Sequence, residues 1–280
     1  MSAVFGHNEN PLEEEEWVRF QESIVNVARR TLIGRRFIEI YGPLGAGVQT
    51  VPHDQFTGVD RGALDIVGER ETDRIFPDKR TFKTIPLIYK DFVLHWRDLE
   101  AAREHNMPLD VSPAAGAAVF CAQKEDELIF YGNDELGVEG IANCEGRSHV
   151  NLLDWSQSGN GYQNVVAATE KLNSNDHYAP YALVAAPNLY AQLHRVYGQT
   201  GVLEIETIKD LCQSGVFQSN VLKSNTAVLV STGSENMDLA VAMDMRIAYL
   251  GAERMNHPFR VVESVLPRIK HPDSICTIGE

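Results

Sequence analysis

The sequence predicts an α+β fold in which one domain is interrupted by a second. Three observations predict it: a helical apolar stripe near the start, period-two segments on both sides of the chain, and a compact strand-helix-helix texture between them. With 280 residues, 44% apolar and 23% charged, the chain has enough apolar surface for a sizeable core.

The first element is read from NPLEEEEWVRFQESIVNVARRTLIG. Asn10 is placed as N-cap and Pro11 at the first helical position, with Glu13 to Glu16 where the helix dipole favours anions. Trp17, Phe20, Ile24, Val27 and Thr31 recur at steps of three and four and form one narrow stripe, and Gly34 is the stop. In RRFIEIYGPLGAG the period changes to two, which predicts a strand and a Gly-Pro turn. Val48 to Lys90 lacks helical periodicity and ends in the strand-like TFKTIPLIYKDFVLHW, so a protruding β-arm is expected. Its alternating charges, GERETDRIFPDKR, suit a surface laid on a neighbouring chain better than a core.

RDLEAAREHN is a short helix, and SPAAGAAVFCAQKEDELIFYG is a longer one with Ala114, Ala117, Ala118, Cys121, Leu128 and Ile129 on its apolar face and Gly132 or Asn133 at its end. The acidic triplet Glu125, Asp126 and Glu127 falls inside it. Consecutive residues stand about 100° apart around a helix, so the triplet does not share one face and is read as structural, not as a metal site. Beyond Gly140 come a loop, the helical NVVAATEKLN, and a strand, helix, glycine loop and helix in YALVAAPNLYAQLHRVYGQTGVLEIETIKDL. TAVLVSTGSENMDLAVAMDMRIAYL and FRVVESVLPRIK then return to strands.

Composition removes several functional classes. A net charge of −14 argues against nucleic acid, whose phosphates need a basic footprint. No run approaches the ~20 apolar residues of a membrane helix, and the start lacks the pattern of a signal peptide, so no membrane partner and a cytoplasmic location are expected. The four cysteines are scattered without a C-x-x-C pair and are expected to be reduced. G-x-S-x-G, G-x-x-x-x-G-K-[ST], G-x-G-x-x-G and H-E-x-x-H are all missing, and none of the nine histidines follows a glutamate by three positions. The expectation is a non-enzyme with no catalytic residues and no metal site of its own.

GRRFIEIYGPLGAGVQTVP, PLIYKDFVLHWRDLEAA, EDELIFYGNDELGVEGI and MDMRIAYLGAERMNHPFRVVESVLPRIKHP together resemble the encapsulin shell proteins, also described as linocin-type bacteriocins, over essentially the whole chain. The resemblance implies the tailed-phage major capsid fold of Hong Kong 97 type and self-assembly into an icosahedral compartment around a cargo enzyme. It divides the chain into residues 1–46, the N-terminal helix and the start of a peripheral domain; 47–84, an extended loop; 85–132, the peripheral domain with its spine helix; 133–223, an axial domain; and 224–280, a return to the peripheral domain.

The resemblance also implies sites. The helix at residues 11–33 faces the lumen and helps form a groove for a peptide at the cargo's terminus. Ile24, Val27, Phe37, Leu239 and Val241 are the expected apolar pockets, and Arg35 and Glu39 orient the peptide backbone. Tyr197, Gly198, Gln199, Thr200 and Gly201 match the pore loop of the fivefold axis. The shells this sequence resembles imply a ferritin-like, iron-oxidising cargo, with iron ions entering through the pores; a dye-decolourising peroxidase is the rival cargo, and a phage or prophage capsid the rival assembly. The shell itself is expected to require no cofactor, and Trp96 is where the stacking partner of a flavin would be sought.

Overall fold

The computed structural model describes residues 5–6, 10–56, 62–69, 71, 74–75 and 77–279. In chain order these comprise α1 (Glu14–Thr31), a 3-10 turn (Gly34–Arg36), β1 (Glu39–Tyr41), β2 (Thr50–Phe56), β3 (Pro77–Thr84), β4 (Leu87–Leu94), α2 (Trp96–His105) and α3 (Ser112–Tyr131). There follow β5 (Gly132–Asn133), β6 (Val138–Glu139), β7 (Ser148–Val150), α4 (Asn160–Ser174), β8 (Tyr181–Ala185), α5 (Pro187–Gln192), α6 (Glu204–Leu211) and β9 (Gly215–Gln218). Strands β10 (Ala227–Ser231), β11 (Met237–Tyr249), β12 (His257–Ile269) and β13 (Ile275–Ile278) complete the chain.

Helix α1 starts later than Asn10 and Pro11. The Asn10 carboxamide accepts from the amide of Leu12 at 2.7 Å and closes a turn there, while Glu16 reaches back to the amide of Glu13 at 3.0 Å and opens the helix. Its last turn stops at Thr31, because Leu32 is extended and the carboxylate of Asp126 takes the amides of Ile33 and Gly34 at 3.0 and 2.9 Å. Close approach of this turn to α3 requires glycine at position 34: a Cβ there would lie 2.5 Å from Cδ1 of Ile129.

A four-stranded sheet has the order β1-β11-β12-β4, with β1 parallel to β11 and the other pairs antiparallel. Helices α1 and α3 lie on it. The stripe residues Trp17, Phe20 and Ile24 are buried against Phe92, Phe259 and Leu239. Rings of Phe92 and Phe259 stack at 5.4 Å, and Trp17 tilts against Phe259 at 6.3 Å. Small residues on α3, from Ala114 to Ala122, let the helix settle close to β12, where Cys121 Sγ approaches the carbonyl of Val261 at 3.7 Å.

The second sheet has the order β7-β13-β10-β8-β9. Its three interior strands, β13, β10 and β8, are buried at every position, and residues of β8 and β10 alternate between two cores. Leu183 and Leu229 face α4, α5 and α6, whereas Val184 and Val228 join the core of the first sheet. β10 and β13, from the last stretch of the chain, pair in this sheet with β7, β8 and β9 of residues 133–223. The single strand-like run TFKTIPLIYKDFVLHW is also divided. β3 ends at Thr84 and β4 begins at Leu87, because Pro86 cannot donate to a ladder.

Among the described residues, strands β2 and β3 pair only with each other, as a two-stranded ribbon in the stretch where an arm is expected. Asp54 and Arg80, directly opposed in the register, form a two-point ion pair at 2.7 and 2.8 Å. The base is fixed by Ile85 N–H donating to Gln49 O at 2.8 Å and by Arg268, which donates to Pro52 O at 2.9 Å. The expected tip of the arm lies partly outside the described residues.

Candidate functional site

One flank of α1, the 3-10 turn, β1 and the middle of β11 enclose an open groove of about 420 Å³. Val25, Ala28 and Leu32 are spaced at three and four residues along α1 and form an apolar wall one step around the helix from the core-facing stripe. Ile40 of β1, 51% exposed, and Met245 of β11 form the facing wall. β1 is the edge strand of its sheet, so one row of its backbone groups is left without a strand neighbour.

Charge is concentrated at Arg35. Its guanidinium donates twice to Glu125, at 2.6 and 2.7 Å, once to Asp244 at 2.6 Å, and once to Glu263 at 3.2 Å. Burial opposes the positive charge, but these carboxylates outweigh it and hold the pKa of Arg35 above its ordinary value. Burial, followed by the neighbouring Glu125, pushes Glu263 well above the usual carboxylate range, which favours its neutral form. Asp244 is the exposed member and turns toward the groove.

The structure sets the residues expected to hold a cargo peptide apart from one another. Ile24, Leu239 and Val241 have no exposed surface and fill the core between α1 and the sheet, and Phe37 is buried against Phe130 and Phe217 at 6.5 and 6.1 Å. Val27 packs on that core as a partly buried residue. Only Arg35 of the expected set lines the groove, while Glu39 is exposed on β1. The stripe at Trp17, Phe20, Ile24 and Ala28 is the face that the chain buries within itself; along the groove wall Val25 is half-buried, while Ala28 and Leu32, each 6% exposed, are shared with the core.

Tyr197 to Gly201 form the tip of an exposed loop between α5 and α6. Its neck is closed by Tyr197 N–H donating to Val202 O at 2.7 Å, and Thr200 Oγ donates to Tyr197 O at 2.6 Å. Gly198 and Gly201 have φ of 56° and 75°, in the left-handed region. Glu204 braces the loop from behind: its buried carboxylate accepts from the amides of Gly159 and Tyr162 at 3.2 and 2.8 Å, at the start of α4.

The arm carries apolar side chains that its own chain does not cover. Leu64 is 94% exposed, Ile66 99% and Phe82 69%. Exposed aliphatic and aromatic groups at that density mark a surface for another chain.

Residues 2–266 match the linocin M18 family, described as "Encapsulating protein for peroxidase". The chain is 65% identical over 278 residues to the type 1 encapsulin shell protein EncA of Myxococcus xanthus, covering 99% of this chain and 97% of that protein. It belongs to the encapsulin shell family. A ferritin-like–encapsulin shell fusion protein of Pyrococcus furiosus is 26% identical over 215 residues, 77% of this chain and 58% of the fusion. The capsid of Myoviridae phage XM1 superposes with a TM-score of 0.64 at 13% identity, covering 87% of this chain and 90% of that one. The fold is therefore the tailed-phage capsid fold expected from the resemblance.

Three further expectations can be placed on this encapsulin chain. The acidic triplet of α3 divides into three structural roles: Glu125 pairs with Arg35, Asp126 caps the turn after α1, and Glu127 meets Lys124 at 2.8 Å on the surface. All four cysteines are free and buried, and burial pushes the thiols of Cys121, Cys212 and Cys276 up to about 12 and that of Cys144 to about 11. Trp96 opens α2 with its indole partly exposed and the guanidinium of Arg97 over the ring at 5.6 Å. Among the described residues, no helix is long and apolar enough to cross a membrane.

Proposed function

We propose that this encapsulin closes into an icosahedral cytoplasmic compartment and loads its cargo by docking a short terminal peptide in the groove beside α1. The observation that carries the docking is the pairing of an apolar helix flank with an edge strand across an open groove. An extended peptide can continue the sheet at β1, put alternate aliphatic side chains against Val25, Ala28, Leu32 and Met245, and present donors to Asp244. Arg35, held by Glu125, fixes the charged end of the groove, and Glu39 lies on β1 beside the peptide's path.

The cargo in this proposal is a ferritin-like, iron-oxidising protein, and the shell's part in iron storage and detoxification is confinement. The relative in which a ferritin-like segment and a shell are one polypeptide supports that cargo class, and the acidic charge suits a compartment that draws in cations. Ferrous ions enter past the loop Tyr197–Gly201, whose copies gather at an axis. The chemistry belongs to the cargo, and a flavin, where one binds, stacks on Trp96. The family's description favours a second reading, a peroxidase cargo.

Val25→Asp tests the groove, since a charge on its apolar wall opposes an aliphatic peptide. Electron microscopy should show intact particles, and mass spectrometry should find them empty. Cargo at the parental level in Val25→Asp particles would overturn the assignment, and the identity of what accompanies the parent decides between ferritin-like protein and peroxidase.

A further inference from the structure

Three donor side chains converge at a place remote from the groove and from the loop Tyr197–Gly201. His177 lies in the connection from α4 to β8, and His271 and Asp273 lie in the connection from β12 to β13. One ligand atom from each residue lies within 4.8 Å of the other two. His177 Nε2 is 3.1 Å from Asp273 Oδ1, His271 Nδ1 is 4.0 Å from the same oxygen, and the two imidazoles are 5.7 Å apart with a tilt of 56°.

An ion pair between His177 and Asp273 accounts for the first distance. It does not account for a second imidazole whose Nδ1 lies 4.0 Å from the same oxygen. Ligand distances of about 2.0–2.2 Å put two ligands of a tetrahedral ion roughly 3.3–3.5 Å apart, which the observed 3.1 and 4.0 Å bracket. Both connections are held by their backbones. His177 N–H donates to Leu172 O at 2.9 Å, and His271 N–H to Asn236 O at 3.1 Å. Asn175 reaches across from the end of α4 to the carbonyl of Asp273 at 3.3 Å. Side-chain exposures of 12%, 39% and 48% for His177, His271 and Asp273 leave one side open for an ion to enter.

We propose that His177, His271 and Asp273 bind one divalent transition ion of the Zn2+ and Co2+ class. Two imidazoles and a carboxylate suit these borderline ions and disfavour Mg2+ and Ca2+, which prefer oxygen. Three protein ligands leave a coordination position for water. The ion ties the segment entering β8 to the segment entering β13, two strands of the same sheet that both flank β10.

The test uses assembled particles stripped with a chelator, dialysed, and titrated with Co2+ in excess Mg2+ so that surface carboxylates are occupied. The parent should take up one Co2+ per subunit with intense visible ligand-field bands, and Zn2+ should displace it. His271→Ala and His177→Ala should each weaken binding by at least about 100-fold, since removing even an outer-shell partner of a metal ligand costs 10–100-fold. Glu127→Gln, an exposed carboxylate elsewhere, should bind as the parent does. Parental binding in both histidine variants overturns the proposal. X-ray absorption of the Co2+-loaded parent tests it without any variant: two imidazoles in the coordination shell support it, and an all-oxygen shell overturns it.

Discussion

Arg35→Met removes the guanidinium from between two carboxylates whose side chains have no exposed surface, while keeping an unbranched stem in its place. The contact with Asp244 is largely solvated and contributes at most about 1 kcal/mol. Loss of the two-point contact with Glu125 dominates, because a buried carboxylate deprived of its partner costs about 3–5 kcal/mol. Glu263 adds little to that figure, since its neutral form is already favoured. At about 2–4 °C per kcal/mol, calorimetry on purified particles should show melting lowered by roughly 6–20 °C. Glu125→Gln added to Arg35→Met removes the orphaned charge and should recover part of the loss, a coupling that a merely spatial role for Arg35 does not produce. A single variant that melts with the parent refutes the argument that this network holds α1, α3 and β12 together.

Three other predictions use different parts of the molecule. Deleting residues 57–72, or replacing Leu64 and Ile66 together with aspartate, should leave the subunit folded by circular dichroism but shift it from particles to small species in size-exclusion chromatography; normal particles show that the arm is dispensable. Burial pushes the carboxyl of Asp126 up to about 7, against the amides of Gly34 and Ile33, which pull it down. Because the folded pKa is raised above 3.8, the stabilising contribution is complete below that value and is lost as pH rises through about 7. Asp126→Asn should therefore melt with a shallower decline between about pH 4 and about pH 7, and an unchanged slope removes Asp126 as its source. The four buried thiols should react with a thiol reagent only on unfolding, and a thiol titrating at once in native particles contradicts their burial.

The helical stripe, the spine helix and the arm were legible in the sequence because each has a local signature: a period, a terminator, or a charge alternation no core would tolerate. Strand membership was not. Residues 227–231 read as a strand, but nothing local tells them to lie between β8 and β13 and not beside β11, since that choice is made by partners more than 40 residues away on either side. The lining of the groove was hard to read for a related reason. Periodicity identified an apolar face of α1 but not which of two adjacent stripes the chain keeps for itself. The aromatic stripe of Trp17 and Phe20 takes the core because it has more area to bury. Val25 is left on the flank, while Ala28 and Leu32 serve both the core and the groove wall, at the step of three and four along α1.

Strand β13 stands second in its sheet although it is last along the sequence, and β7, made more than a hundred residues earlier, has no other strand to pair with. A growing polypeptide therefore carries an unfinished sheet until residues 275–278 clear the ribosome. Closure of that sheet is thus a late event in synthesis, set by the distance along the chain between β7 and β13.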